Sequence, residues 1–357
     1  MFRVLVFAVL VGCSEYRLRG TTEAPPVMVP PSDPAPGTDT GERDTGEPPE
    51  VLDCEPHRDV EYERLSDGLN GALTVFASDV DAKGRMLMSA SQFNSSEDLF
   101  GVWPDGEFDV LAEDHEPYIH WPRVLANGRV LYGAYVDDII GFGIYDLHLK
   151  RDVEFIPAPV QDWTAIEPAH DDKIFIAARD RDAGEHWLLE FDLNSGEQDL
   201  VVDLAQHGIQ SIQDMAVTRT RDRVYIVTGT NHDRPQVNMI SKIDATTWGS
   251  PTPVWSGDGS APHWIPRIAV DACGSLYIHD HDQLLFLEGG SGPAEPIASL
   301  DTPAVIQDLF WGSGADDAPS DTLYGTGYVD DPWGLPGAMT GRFAIPLGVD
   351  GNHLLAR

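Results

Sequence analysis

The sequence predicts an all-β chain folded as a six-bladed β-propeller, with four strands to a blade. Three observations carry that expectation. A short apolar strand recurs six times, each time just behind a turn. The recurrences are 44 to 52 residues apart, a length that fits four short strands and their turns. Long helical periodicity is nearly absent, while Gly, Pro, Asn and Asp turn signals return at short intervals.

The six strands are Gly84–Ala90 (GRMLMSA), Gly128–Ala134 (GRVLYGA), Asp172–Ala178 (DKIFIAA), Asp222–Thr228 (DRVYIVT), Gly274–Asp280 (GSLYIHD) and Asp321–Gly327 (DTLYGTG). Aligned on the fourth residue, their anchors are Leu87, Leu131, Phe175, Tyr225, Tyr277 and Tyr324. Another strand precedes each, as at Pro122–Ala126, Gln213–Thr218 and Pro266–Asp271. A third follows, as at Gly141–Leu149, Trp187–Leu193, Met239–Ile243 and Leu284–Leu287. A fourth is visible in most, as at Phe108–Leu111, Val153–Ile156 and Leu200–Leu204. The nine Trp and ten Tyr suit packing between blades. Five or seven blades, or another β-solenoid, are the alternatives. A propeller also needs its ring closed, and Val60–Leu65 is a strand-like segment placed to pair with the last blade near Gly341–Leu347.

Ahead of this repeat the composition changes twice. Residues 1–12 read MFRVLVFAVLVG, with one Arg before an apolar run from Val4 to Val11. That run has the form of a secretory signal and falls short of the roughly 20 apolar residues a membrane-spanning helix needs. The end, Leu10-Val11-Gly12-Cys13, resembles the lipobox of bacterial lipoproteins. The resemblance implies cleavage before Cys13, lipidation of Cys13 and, with Ser14 next rather than Asp, sorting to the outer membrane. An ordinary signal peptide with an incidental Cys is the alternative. Residues 13–50 are then a lipidated N-terminus and a linker. Positions 21–50 hold eight prolines, no aromatic residue and two Asp-Thr-Gly repeats. Such a segment buries too little apolar surface to offset its chain entropy, so a disordered, semi-extended tether is expected. Residues 51–357 form the propeller domain.

The chain carries 23 Lys+Arg against 59 Asp+Glu, a formal net charge of −36. The linker has only seven of those acids, so the acidity belongs to the domain. This excludes nucleic acid as a partner, because phosphate binding needs a basic surface. It also leaves a lipid anchor as the only expected attachment to a membrane. With Cys13 lipidated, Cys54 and Cys273 remain, and in an oxidising compartment they are expected to form a disulfide. Two free thiols are the alternative.

The turns Val80–Met88 (VDAKGRMLM) and Val270–Ile278 (VDACGSLYI) resemble those of six-bladed propellers of the TolB-like, NHL and gluconolactonase type. The resemblance covers residues 73–357 as architecture and specifies fold, not chemistry. Gluconolactonase-like propellers hold a channel metal through a Glu, two Asn and an Asp. Glu167 and Asp308 match that set in type, but the two Asn have no counterpart, which puts lactonase activity in doubt.

The position just ahead of each inner strand gives Asp79, Arg123, Glu167, Asp214, Arg267 and Asp308, a ring of four acids and two arginines around the channel. Two near-identical pieces, Ile119-His-Trp-Pro-Arg-Val124 and Pro262-His-Trp-Ile-Pro-Arg-Ile268, add His120, Trp121, His263 and Trp264 at the rim. Aromatic faces beside fixed polar groups suit a sugar or a peptide. The alternative is that Arg and Asp/Glu pair only to satisfy a wet channel. His279 and His281 are two apart and would face the same way in an extended segment, a ligand pair for a divalent metal. Acidic loops such as Val136–Asp138, Arg179–Asp182, Asn231–Asp233, His279–Asp282 and Val329–Trp333 would suit Ca²⁺ or another divalent cation, although no EF-hand spacing occurs. A nucleophile elbow, a phosphate loop and a dinucleotide fingerprint are all absent. The leading expectation is an envelope-anchored module that binds a protein, peptide or glycan, and the alternative is a metal-dependent hydrolase or lactonase with its site in the channel.

Overall fold

The computed structural model describes residues 52–65, 74–91, 97–112, 120–136, 139–158, 160, 162–169, 172–180, 184–229, 234–257, 265–299, 304–316, 318–329 and 339–353. The expected signal, Cys13 and the linker lie outside them. Six antiparallel sheets account for the repeat. Blade 1 consists of Thr74–Val80, Met86–Ser91, Glu97–Val102 and Phe108–Ala112. Blade 2 consists of His120–Val124, Val130–Val136, Ile139–Asp146 and Arg151–Pro157, and blade 3 of Trp163–Pro168, Lys173–Asp180, Glu185–Asp192 and Gln198–Asp203. Blade 4 consists of Ile212–Val217, Arg223–Thr228, Gln236–Ser241 and Thr252–Ser256. Blade 5 consists of Arg267–Val270, Leu276–Asp280, Gln283–Leu287 and Glu295–Ser299. Ala304–Trp311, Thr322–Val329 and Met339–Pro346 begin blade 6. The first strand of every blade touches the first strands of both neighbouring blades, so the six inner strands enclose one channel.

The sequence builds this ring through the two-residue period of its strands. In blade 1, Met86 and Met88 pack with Phe310, Tyr324 and Ala344 of blade 6. Leu87, between them, packs with Val124, Val130 and Tyr132 of blade 2. Each of the remaining four seams likewise holds its own apolar cluster, drawn from the two blades that flank it. All six anchors are buried. At the 5–6 seam the Tyr277 ring meets Trp311 edge-on at 5.3 Å. Truncating such a buried aromatic to Ala costs roughly 3–5 kcal/mol.

Ring closure uses the expected segment and divides it. Glu63–Arg64 pairs antiparallel with Phe343 and Ala344, supplying the fourth strand of blade 6. Val60–Glu61 instead runs parallel to Ala298–Ser299 at the outer edge of blade 5. Between the two, Tyr62 turns inward to meet His279 and Phe343 edge-on. Outside this strand the incoming and outgoing ends of the domain interlock. The His57 amide donates to the Leu347 carbonyl at 2.8 Å, and the Asp53 amide to Asp350 Oδ2 at 2.9 Å. Cys54 is joined to Cys273 across 219 residues of sequence.

The disulfide therefore fastens the start of the domain to a turn of blade 5. Replacing Cys273 by Ser should destabilise the domain by roughly 2–5 kcal/mol. Thermal unfolding of the variant, and of the parent under reductant, should show equal drops in Tm; an unchanged Tm in both would remove the bond's structural role.

Candidate functional site

Local backbone irregularity aims the ring residues into the channel. Five of the six inner strands shift register at the ring residue or one or two residues before it, between Phe76/Ser78, His120/Arg123, Trp163/Ala165, Ile212/Asp214 and Ile306/Asp308. A bulge re-aims side chains and breaks the in-out alternation that would send them to a seam. In blade 2 it holds Trp121 at a positive φ of 50° and Pro122, whose missing N–H suits an unpaired position. In blade 5 the inner strand simply begins at Arg267.

Two adjoining cavities result. The outer one, about 250 Å³, opens at the start of the inner strands and is lined by Trp121, Gln213, Arg267 and Gln307, among others. The inner one, about 70 Å³, lies toward the strand ends and includes Asp79, Glu167, Asn352 and His353. Arg123, Asp214 and Asp308 line both and form the wall between them. All six expected ring residues thus face the channel. Asn352 and His353 were not expected. Asn352 Nδ2 donates to the Val217 carbonyl in blade 4 at 2.8 Å, and His353 Nε2 lies 3.0 Å from Asp79 Oδ1 in blade 1. Blades 1 and 4 are opposite in the ring, so the C-terminal segment crosses the channel along a diameter.

The carboxylates are held by a repeated device. Asp79, Asp214 and Asp308 each accept the amide of the next residue on Oδ1, at 2.8, 2.9 and 3.0 Å. Asp79 Oδ2 also accepts the Val124 amide at 2.7 Å, and Asp214 Oδ2 the Ile268 amide at 2.8 Å. In both cases the donor follows a ring arginine on the next blade. The ring is therefore two similar halves: Asp79, Arg123, Glu167 and then Asp214, Arg267, Asp308. The arginines differ. Arg123 donates through Nη1 to Asp308 Oδ2 at 2.7 Å and places Nε 3.5 Å from Glu167 Oε2. Arg267 donates through Nη1 to the Gln213 carbonyl at 2.7 Å.

Burial and crowding then split the ring's acidities. Burial alone would raise the Asp79 carboxyl, but the charge and hydrogen bond of His353, with Arg123 and the Val124 amide, outweigh it and hold Asp79 below the usual range. Burial pushes Glu167 up to about 8, with Arg123 opposing and Asp214, Asp308 and Asp79 adding. It also pushes Asp214 up to about 6, against Arg267 and the Ile268 amide. Arg123 is driven well above its usual value: burial pulls it down, and the charges of Asp308, Glu167 and Asp79 outweigh that.

The remaining expected residues divide. Trp121 is at the rim as expected. The His120 side chain, His263 and Trp264 lie outside the described residues, as do Asp137, Asp138, Arg181, Asp182, Asn231–Asp233 and Asp330–Trp333 of the acidic loops. His279 and His281 do not face the same way. The strand ends at Asp280 and His281 takes a φ of 62° in the turn, so the extended geometry stops between them. His279 is 2 % exposed, and burial lowers its pKa to about 3. Among the described residues, no group of three or more His, Cys, Asp or Glu is arranged to hold a metal ion.

Glu167, Asp214 and the buried Asp271, which burial also pushes up to about 6, bind protons more tightly folded than unfolded. Their ionisation opposes folding, so stability should climb as pH falls from about 8 toward about 4.5. Asp79 and His279 have the opposite sign. His279, held neutral in the fold, costs stability as pH falls below about 6.5, which shallows the climb set by the three acids without reversing it. The contribution of Asp79 should be lost as pH falls below about 4. Thermal unfolding between pH 3 and 9 should peak near pH 5; a Tm that is flat from pH 5 to 8 would overturn this assignment.

No protein-family model matches the chain, and no curated protein matches it. Solved structures do. The chain is similar to a gluconolactonase from Xanthomonas campestris, with 13 % identity over 83 % of this chain and 96 % of that one, at a TM-score of 0.56. It is similar to a luciferin-regenerating enzyme, with 12 % identity over 81 % and 97 % of the two chains, at 0.58. It is also similar to a calcium-binding protein, regucalcin, from Agrobacterium tumefaciens, with 12 % identity over 84 % and 99 %, at 0.57. At such identities the likeness is one of fold.

Proposed function

We propose that the channel mouth binds a small polar molecule of sugar or sugar-acid size and that the chain hydrolyses it as a lactone. The observation that supports this is the convergence of both arginines, Asp214, Asp308 and Trp121 on one cavity of about 250 Å³. That volume lies just below the range of roughly 300–1,000 Å³ common for ligand pockets, which favours a small ligand over a chain. The likeness to gluconolactonase-type propellers points the same way.

A neighbour described as calcium-binding leaves a divalent cation compatible with the fold. The residues of this channel do not fit one. Arg123 stands between Asp308 and Glu167, within 2.7 and 3.5 Å, and Asp79 and Asp214 already spend both oxygens on amides. The reading therefore takes no step through a metal. Glu167 is pushed highest of the ring acids, to about 8, and lines the inner cavity with its carboxylate 3.5 Å from Arg123 Nε at the wall. Ionised, it accepts a proton from a water held at that wall; that water's oxygen bonds to the carbonyl carbon of a lactone pressed against the wall from the outer side. The guanidinium of Arg123, in the wall between the cavities, stabilises the oxyanion. Collapse breaks the ring C–O bond, and Glu167 returns the proton to the departing alkoxide. Purified protein should hydrolyse sugar lactones at a rate that rises with pH and levels off above about 8. Glu167→Gln should lower it about 100-fold or more, with Ca²⁺ or chelator without effect. A panel of sugar lactones turned over no faster by the parent than by E167Q would sink the hydrolase reading.

A second reading, a module that binds an envelope protein, peptide or glycan at the same face, is favoured by Trp121 at the rim. It predicts saturable binding without turnover. In either case we place the propeller at the outer membrane, held by lipid on Cys13 and spaced from the bilayer by residues 13–50; the lipobox-like run and the proline-rich segment support this. Cys13→Ser should move the protein from the membrane fraction to the soluble one, and an unchanged membrane fraction would remove the anchor.

A further inference from the structure

The two halves of the ring use the same plan, yet their arginines are treated differently. Arg123 is neutralised by Asp308 and, at longer range, by Glu167. Arg267 follows the corresponding Pro on blade 5 but sits two rungs nearer the mouth, opposite His279 where Arg123 is opposite the anchor Leu131, and among the described residues it forms no ion pair. Among those residues its guanidinium donates to a neutral backbone carbonyl, that of Gln213, and its Nε is buried with no partner there. The acid that would match it by position is Asp308, the counterpart of Glu167, but Asp308 turns across the channel to Arg123. Asp214 spends both oxygens on the Met215 and Ile268 amides. A half-buried guanidinium that feels Asp214 only at longer range, with no acid in ion-pair contact among the described residues, is costly to keep. This one lines the outer cavity, beside Gln213 and Gln307.

We propose that Arg267 is the anchor for a carboxylate on the ligand, so that the site selects small acidic molecules of sugar-acid size over neutral ones of the same shape. The inference rests on the reading of the channel mouth as a small-molecule site, and it is independent of whether that molecule is hydrolysed. With Nη1 engaged by Gln213, the edge formed by Nε and Nη2 remains, the two parallel donors that match a carboxylate. Nε lies below the surface, so the ligand must displace the side chains over it or the guanidinium must swing into the cavity. The neighbouring carboxylates do not repel the ligand at full strength. Asp308 is neutralised by Arg123, Asp79 lies beyond the wall against His353, and Asp214, which shares the outer cavity, has its charge countered by Arg267 and the Met215 and Ile268 amides. Gln213 and Gln307 supply neutral hydrogen-bonding groups at the same opening.

Binding of gluconate and of sorbitol, its neutral counterpart in size, would be measured by calorimetry on the parent, Arg267→Gln and Arg267→Lys. Gluconate should bind the parent and R267Q should bind it roughly ten- to a hundredfold more weakly, with R267K between them. Sorbitol should bind weakly and equally to all three. Thermal unfolding without ligand separates anchoring from folding. R267Q removes an unmatched charge and should keep or raise the parent Tm, whereas Arg123→Gln strands Asp308 and should lower it. Equal binding of gluconate and sorbitol by the parent, or undiminished gluconate binding by R267Q, would overturn the anchor. Lactone turnover with no preference for acidic ligands would leave the hydrolase reading standing and remove this one; Arg267-dependent gluconate binding without turnover would do the reverse.

Discussion

Every blade of this protein is apolar on both faces, and that constraint governs the rest. A sheet with two apolar faces cannot stop at a solvent boundary, so each blade needs a neighbour on either side and the row must close into a ring. Leu87 and its two flanking methionines show the requirement within three residues, packing alternately toward blade 2 and blade 6. Closure makes the 5–6 region special. The incoming chain meets the outgoing one there, which is why the parallel and antiparallel edge strands, the Asp53 and His57 hydrogen bonds and the Cys54–Cys273 bond all gather there.

Closure also creates the channel's electrostatic problem. Six inner strands around one axis bring four carboxylates together at low dielectric, where like charges cannot all remain ionised without support. Several means relieve the crowding. Backbone amides exposed by the bulges bind Asp79, Asp214 and Asp308; Arg123 neutralises Asp308; and His353 faces Asp79 from the chain's far end. Glu167 holds its proton most tightly: among the described residues it accepts none of the backbone amides that support the three aspartates, and its nearest cation is 3.5 Å away. The proton affinity of Glu167 is the remainder of a charge balance struck for folding.

The architecture was legible because blades repeat. Alignment of six turns placed the anchors at equivalent positions; the ring residues, read from the inner strands, fall on two levels, with Asp79, Arg123 and Glu167 opposite the anchors and Asp214, Arg267 and Asp308 opposite the residue two further on. What was not legible depends on things outside the repeat. Asn352 and His353 follow the last strand and belong to no motif; only the direction in which the chain end leaves blade 6 takes them into the channel. His279 and His281 looked like a facing pair because the strand seemed to continue, and a single positive φ at His281 ends it. The division of Val60–Leu65 between two blades follows from Tyr62 seeking the apolar space beside Phe343, which a sequence pattern does not display. The twin Pro-Arg motifs were visible, but not that one arginine is matched and the other is not.

The diametric crossing of the C-terminal segment also acts as a spoke. A ring held only along its rim can be drawn into an oval by sliding at its seams. Here Asn352 and His353 tie blade 4 to blade 1 across the axis, so a distortion that separates those two blades must stretch hydrogen bonds at the hub as well as packing at the rim.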